Sequence, residues 1–416
     1  MSSLTLDTMR RSGSTVASRS RGRFFSVLCV SLVVQSLFTF IYHLTGSPAF
    51  YAISNTIAIA LIGYALVAVL RSKGDGSAGT TFLVISVVAA LLSVMANAGN
   101  TSITDVLKYL SLYIFYAAGT RNRTPLRSFE LYCLCALAAL PIAFMAVGTS
   151  KIWEWQEEPF GYLPNANIAV LHFCALLFAA APVFGNRVIL LQLLNAAFMN
   201  KIGAIVATAI SICMWATVPL RRESILSAVA ILTPVLAICV AAYQFGAFDR
   251  AIIAFDGLVF ALKIDPRSVV SMSYRDLVQL TGSTDLSGFF RLIHWTNIWD
   301  IYCSGGIGTW IFGYGAGQTS ALTYAGMVPH NDYLRVLVEY GLINLVIFVC
   351  FLAHVRTALT TSAASVLFVV LCIYFFSENL LDSFTSMTLF FAYAGRMTAG
   401  APVAASVRTL NRDLSQ

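Results

Sequence analysis

Residues 312–343 read FGYGAGQTSALTYAGMVPHNDYLRVLVEYGLI, a polar, glycine-rich segment that leads into an apolar one. The apolar part begins at residue 333 and continues to about residue 353. His330, Asn331 and Asp332 stand immediately before it, where either Asn331 or Asp332 can cap the helix that the apolar run predicts. This stretch therefore predicts polar side chains at the mouth of a membrane helix.

The composition of the whole chain is that of a membrane protein. Of its 416 residues, 58% are hydrophobic and 11% are charged. A soluble domain is about 45–50% apolar and about 25% charged. Since a bilayer is crossed by helices of about 20 apolar residues, we expect an all-α, polytopic integral membrane protein.

Twelve apolar runs are long enough, or nearly so, to cross a hydrocarbon core about 30 Å thick. They lie at residues 24–42, 50–70, 80–98, 103–119, 129–148, 165–183, 188–199, 202–219, 224–244, 333–353, 360–376 and 384–399. The run at 188–199 is short, and both a tilted crossing and a re-entrant segment remain open for it. We expect about 12 transmembrane helices in one integral domain, 24–399, between tails at 1–23 and 400–416.

Lys and Arg are distributed unevenly among the loops between these runs. The short loops 43–49 and 99–102 carry neither, and 377–383 carries only acids, whereas the alternate loops are basic. Because Lys and Arg in short loops stay on the cytoplasmic side, both termini are expected in the cytoplasm. The net charge of +7 then reflects this bias and not nucleic-acid binding. A large outer loop, 245–332, is expected between spans 9 and 10, where it caps the active site.

The outer loop contains the segment SGFFRLIHWTNIWDIY, residues 287–302, which predicts a helix. Arg291, Trp295 and Trp299 recur every four residues, so they share one helical face. Tryptophans at this density are typical of a membrane–water boundary. An earlier segment, 248–263, predicts an amphipathic stretch near the same boundary.

His330 and Arg291 are the first candidates for chemistry. An imidazole titrates near neutrality, and a helix N-terminus attracts anions; the alternative is an interfacial histidine that only helps to cap the helix. The guanidinium of Arg291 suits phosphate because it donates in a bidentate fork. The alternative for Arg291 is an ion pair with Asp300 or Asp285.

Lys201 and Asn167 are further candidates. Lys201 lies in a short outer turn, where a cation among spans is costly and usually functional, although it can also snorkel to the interface. The segment YLPNANIA, residues 162–169, opens a span, and Asn167 is expected to point into the mouth of the bundle. Most asparagines at such positions are caps.

Several site classes are not indicated by the sequence. It contains no zinc spacing, no carboxylate cluster for Mg²⁺ and no Walker lysine after the glycines; we therefore expect no metal and no cofactor. Apart from Asp105 and Lys108 near one boundary, we expect almost no ionisable residue within the spans. That scarcity weighs against an ion-coupled transporter.

Five segments, in this order, resemble the O-antigen ligase and O-antigen polymerase superfamily of polytopic membrane glycosyltransferases. They are LPNANIA at 163–169, NKIGAIVA at 200–207, RLIHW at 291–295, FGYGAG at 312–317 and HNDYLRVLVEYGLI at 330–343. The resemblance covers roughly residues 160–350, and its last segment is the most specific. One departure is clear: the family commonly has Ser-Arg-Gly where this chain has Asn200-Lys201-Ile202-Gly203, and lysine lacks the bidentate fork of arginine.

The resemblance implies metal-independent glycosyl transfer at the periplasmic face of a bacterial inner membrane. The donor would be a glycan on undecaprenyl diphosphate, and the acceptor a sugar hydroxyl. The candidate residues fit this chemistry: Arg291, Lys201 and Arg275 would bind the diphosphate, and His330 would take the acceptor proton or hydrogen-bond the diphosphate. The substrate-binding candidates are Asn167, Tyr162, Trp295, Trp299 and Asn331.

Two enzyme activities and two other classes remain open. We favour a polymerase of surface or exopolysaccharide repeat units, with a chain-length regulator as a further candidate partner. The alternative is a ligase that transfers the glycan to lipid A-core. A flippase for lipid-linked oligosaccharide would need polar residues lining its spans, and a structural membrane subunit would not need cations and a histidine on one outer face.

Overall fold

The computed structural model of this chain describes residues 23–71, 78–152, 160–199, 201–216, 263–282, 286–323 and 326–398, together with positions 233, 240, 244 and 259. Regular structure in these ranges is helical, and extended pairing is limited to two isolated bridges, Phe160 with Leu163 and Leu359 with Thr398. The expectation of an all-α protein is confirmed for this part of the chain.

Most of the predicted apolar runs coincide with helices. The α-helices of the described residues are α1 (Phe24–Thr45), α2 (Pro48–Arg71), α3 (Ala78–Ala96), α4 (Ile103–Arg121), α5 (Ser128–Val147), α6 (Ala166–Phe184), α7 (Arg187–Phe198), α8 (Ile202–Ala216), α9 (Tyr274–Thr281), α10 (Ser287–Ser304), α11 (Ile307–Phe312), α12 (Thr319–Leu322), α13 (Asp332–Ala358), α14 (Ser362–Ser377) and α15 (Phe384–Arg396). Short 3-10 turns lie at Pro266–Val269 and Leu380–Asp382. Most of the apolar run at 224–244, most of the segment 248–263 and, apart from Arg23, the two tails lie outside the described residues.

Six of the described helices, α1, α2, α3, α5, α6 and α13, are long and apolar enough to cross a membrane. The chain is therefore a multi-pass membrane protein by length and composition. The other helices that match apolar runs are shorter or less apolar, so the number twelve stays a prediction. Their apolar surface also fits lipid: α3 exposes Val84, Val88, Leu91 and Met95 along one side, as a helix in contact with hydrocarbon does.

The short run at 188–199 forms α7, a helix of 12 residues. At 1.5 Å per residue it is about 18 Å long, less than the hydrocarbon core. The side-chain amide of Asn195, near its end, donates to the carbonyl of Val170 at 3.1 Å. Because Val170 lies in the second turn of α6, α7 returns to the end of the bundle at which α6 begins.

Polar contacts divide the helix ends into two groups. At one end, here called the His330 end, Lys108 contacts Asp382, Asn167 contacts Glu378 and Ser93 contacts the carbonyl of Phe312. At the opposite end, Arg121 contacts Thr80 and Arg396 contacts Glu130. The His330 end gathers the starts of α4, α6 and α13, which are the helix ends that the Lys and Arg distribution predicts to lie outside.

The glycine-rich segment supplies hydrogen-bond donors to a kink in α13. Gly341 has φ 84° and ψ 176°, which interrupts the helix. Backbone N–H groups of Tyr314 and Gly315 donate to the carbonyls of Val338 and Glu339 at 2.8 and 3.0 Å. Carbonyl groups that lose their helical partners at the kink thereby regain hydrogen bonds, as buried backbone groups require. Gly315, and Gly313 beside it, thus have a structural role at this junction.

Gly341→Ala is expected to destabilise the protein strongly. Its backbone lies in a region that only glycine adopts readily, at a cost of about 1–3 kcal/mol for other residues. A Cβ there would also meet the backbone of Ile311 and Phe312. Thermal unfolding in detergent should show a lower midpoint for this variant, whereas the matched control Gly308→Ala, which has open space around it, should unfold like the wild type. Equal midpoints for both variants would contradict this account of the kink.

Candidate active site

Glu378 is the residue on which the predicted site residues converge. Its side chain is 4% exposed and follows directly after α14. Its Oε1 accepts a hydrogen bond from Asn167 Nδ2 at 2.6 Å and another from Arg291 Nη2 at 2.9 Å. Its Oε2 lies 3.6 Å from Nδ1 of His330. Segments that are far apart in sequence, α6, α10 and the residues before α13, therefore meet at one carboxylate.

His330 has an unusual backbone conformation. With φ at 48°, it is the one non-glycine residue with positive φ in the described part of the chain. Such a conformation is uncommon outside glycine, although Asn, Asp and His adopt it more often than other residues do. Residues held in this region cluster at functional sites. The side chain is 35% exposed. Its Nδ1 also lies 3.4 Å from the side-chain amide of Asn379, so one ring nitrogen is oriented by residues 378–379.

Helix α10 holds the segment that precedes His330. The indole N–H of Trp295 donates to the carbonyl of Pro329 at 2.5 Å, and Nε2 of His294 lies 3.0 Å from the carbonyl of Met327. Trp295 also packs edge-on against Phe376, with ring centroids 5.1 Å apart. The same helical face that carries Arg291 thus fixes the backbone that places His330.

The N-terminus of α13 fixes the other side of the site. Asn331 caps the helix, because its side chain accepts from the N–H of Leu334 at 3.0 Å. Asp332 is buried and instead accepts from the backbone N–H groups of Leu380 and Leu381, at 2.6 and 3.2 Å. Of the two caps that the sequence left open, the structure has Asn331. Asp332 anchors the segment that begins with Glu378.

A second cluster of charges also anchors the segment that begins with Glu378. This cluster, the Arg335 network, consists of Arg335, Lys108, Asp105, Glu339 and Asp382. Arg335 is 5% exposed and contacts Glu339 at 3.3 Å, Asp382 at 2.8 Å and Asp105 at 3.3 Å. Lys108 contacts both Asp105 and Asp382, at 3.1 and 2.6 Å. Three carboxylates thus share two cations. Burial alone would raise the pKa of Asp382, but Arg335 and Lys108 outweigh it and hold that pKa below its ordinary value.

Two cationic candidates are not joined to Glu378 in the structure. Lys201 lies at the start of α8, where its carbonyl accepts from the N–H groups of Ala204 and Ile205; these contacts fix its backbone. Arg275 is exposed on α9. The alternative of an Arg291–Asp300 pair is not found, because Asp300 pairs with Arg267 at 2.7 Å, and Asp285 lies outside the described residues.

The aromatic candidates differ in accessibility. Tyr162 is 5% exposed and packs among Phe40, His43 and Phe144. This environment favours a structural role over direct contact with a sugar. Trp299 is 49% exposed, and Trp295 is partly exposed beside Phe376. A sugar or prenyl surface can therefore reach Trp295 and Trp299 but not Tyr162.

The sequence reasoning missed Glu378, Arg335 and Glu339. The acids of loop 377–383 are the sequence signal for Glu378, but in the sequence alone they indicate only which side of the membrane the loop faces. The expectation that the spans contain almost no ionisable residue is corrected by α13, where Glu339 is fully buried, and by α5, where buried Glu130 pairs with Arg396 at 2.7 Å. These charges are tolerated because each has a partner of opposite sign, as buried charges require.

The described residues contain no group of three or more His, Cys, Asp or Glu side chains that could hold a metal ion. No family model matches this chain, and a comparison with curated proteins finds no similar one. The chemistry of the site must therefore be inferred from its own geometry. A carboxylate, a guanidinium and an oriented imidazole at the mouth of a membrane bundle can bind an anion and move a proton.

Proposed function

We propose that this chain is a membrane glycosyltransferase that acts on glycans carried by undecaprenyl diphosphate, as the resemblance to O-antigen ligases and polymerases implies. One observation carries the proposal. Arg291, His330 and Asn167, which lie in three separate motifs of that resemblance, all meet at Glu378. If the resemblance were only a chance likeness of sequence, these residues would have no reason to converge on one buried carboxylate.

The geometry supports a division of roles between His330 and Arg291. In the proposed reaction, the acceptor hydroxyl oxygen forms a bond to the anomeric carbon, and the bond from that carbon to the diphosphate oxygen breaks. In the tautomer whose Nδ1–H faces Glu378, Nε2 of His330 is free to take the acceptor proton, and Glu378 stabilises the resulting imidazolium. Undecaprenyl diphosphate leaves with the bonding electron pair, and Arg291 stabilises its negative charge.

The proposed location is the periplasmic face of a bacterial inner membrane. The site lies at the His330 end of the bundle, and Lys and Arg are scarce in the short loops that the sequence assigns to that end. Undecaprenyl diphosphate spans the hydrocarbon with its prenyl chain and presents its charged group at the interface. The position of the polar site at the ends of α6, α13 and α14 supports this location, because the ends of membrane helices meet the interface.

Deletion of the gene distinguishes the candidate functions by the lipid-linked glycans that accumulate. Loss of a polymerase, which we favour, should leave single repeat units on undecaprenyl diphosphate. Loss of a ligase should strand long chains on the same lipid. The Arg335 network places ionisable residues inside the helical bundle and so favours a flippase as a second candidate; its loss should trap units on the cytoplasmic face.

Mass spectrometry of extracted lipid-linked glycans reads out their chain length, and a membrane-impermeant label applied to spheroplasts reports the face on which single units accumulate. Single repeat units that lie on the outer face and revert to long chains on complementation with the wild-type gene would support polymerase activity. A strain whose lipid-linked glycans and surface polysaccharide do not change on deletion would contradict glycosyl transfer by this chain.

A further inference from the structure

The pairing of Arg291 with Glu378 has a consequence for donor binding. Arg291 is 29% exposed, so its guanidinium can be reached from outside, while Glu378 behind it is 4% exposed. Only Nη2 of Arg291 is engaged by Glu378. Guanidinium groups bind carboxylate and phosphate with the same donor fork. An incoming diphosphate therefore competes with Glu378 for the charge of Arg291.

We infer that Glu378 occupies the position on Arg291 that the donor diphosphate takes when it binds. Donor binding then frees the carboxylate of Glu378 from its ion pair with Arg291, so that it can activate His330. The inference rests on the proposed function and adds an order of events to it. When the diphosphate takes over the guanidinium, Glu378 keeps its position because Asn167 donates to the same oxygen at 2.6 Å. Its negative charge is then no longer neutralised by Arg291.

The charge released in this way acts on His330. Oε2 of Glu378 already lies 3.6 Å from Nδ1 of the imidazole. A carboxylate that has lost its cation stabilises an imidazolium more strongly than one that is paired. His330 therefore becomes an effective base only when a donor occupies the site. The acceptor hydroxyl is deprotonated after the donor has bound, which couples the two substrates.

The inference predicts opposite effects of one substitution on binding and on rate. Glu378→Gln keeps the shape of the side chain and removes its charge. Undecaprenyl diphosphate should bind this variant about tenfold more tightly, since an anion near the ligand is gone. Transfer should slow by about 100-fold because the imidazolium has lost its carboxylate. A residue that only supported the fold would not tighten ligand binding.

The experiment is titration of the purified full chain in detergent with undecaprenyl diphosphate, measured by microscale thermophoresis. Glu378→Asp, which keeps the charge, should bind within about twofold of the wild type. Asp300→Asn, which removes an exposed acid of the outer loop, should behave like the wild type. In an Arg291→Gln background, Glu378→Gln should no longer tighten binding. The substitution tightens binding by freeing the Arg291 guanidinium for the diphosphate, and that guanidinium is then absent.

The outcomes separate the inference from the proposed function. Wild-type binding with unchanged or weaker binding by Glu378→Gln overturns the inference and leaves the function standing. Absence of binding by the folded wild-type chain overturns the function. Should Glu378→Gln not fold, Glu378→Asn, which also removes the charge, takes its place in the same titration with the same expected sign.

Discussion

His330→Asn is expected to slow glycan transfer by about 100- to 10,000-fold, the usual contribution of a general base. The native residue has φ at 48°, and asparagine is one of the few non-glycine residues that adopt this region readily. The backbone that places residue 330 should therefore survive the substitution. An amide cannot accept the proton of the acceptor hydroxyl, so the loss falls on the chemical step.

The rate is measured as release of undecaprenyl diphosphate by the purified chain in liposomes. The matched control is His354→Asn, which changes a histidine near the far end of α13, the helix that His330 precedes; His354 lies next to Phe82 and Tyr116. The control should keep the wild-type rate. A folded His330→Asn protein with a wild-type rate would remove His330 from the chemistry.

Arg335→Met is expected to have the largest effect on stability. The guanidinium is 5% exposed and contacts Glu339, Asp382 and Asp105. Removing it leaves three carboxylates with Lys108 as the one cation of the Arg335 network. Breaking a buried ion pair from one side costs about 3–5 kcal/mol, since the remaining charge is uncompensated.

Thermal unfolding in detergent, monitored by tryptophan fluorescence, measures this loss of stability. Arg267→Met is the matched control, because Arg267 forms its ion pair with Asp300 at the surface of the outer loop, where water screens the charges. The unfolding midpoint should fall for Arg335→Met and stay unchanged for Arg267→Met. Equal midpoints would show that the Arg335 network does not hold the segment that carries Glu378.

Periodicity and charge predicted the helices well, because each depends on local sequence. The outer-loop helix at 287–302 became α10, and the ends of α1, α4, α6 and α13 lie within a few residues of the apolar runs. Capping followed the same local rules: Asn165 caps α6 and Asn331 caps α13. Asn167, which the sequence expects at the mouth of the bundle, donates a hydrogen bond to Glu378 at 2.6 Å.

The partners of the site residues could not be predicted, because they come from distant parts of the chain. Arg291 meets Glu378 across 87 positions, and Arg335 meets Asp105 across 230. A single sequence contains no record of such pairs. The acidic loop 377–383 contained the missing carboxylate, but nothing local distinguishes Glu378 from any other acid at a helix end.

The glycine cluster illustrates the same limit. A run of alternating glycines before a helix suggests a loop that approaches a ligand closely. In the structure, Gly313 has φ at 77°, and a Cβ there would meet the backbone of Glu339. The close approach of Gly313 is to α13, near the kink at Gly341. Only the tertiary structure shows which surface a glycine-rich segment faces.

The most direct test of glycosyl transfer uses the purified wild-type chain in liposomes with an oligosaccharide on undecaprenyl diphosphate, in the presence of EDTA. Free undecaprenyl diphosphate and the length of the glycan are measured together. The account predicts that the lipid is released in step with the growth of the glycan. Intact donor after prolonged incubation with a folded, liposome-inserted chain would contradict it.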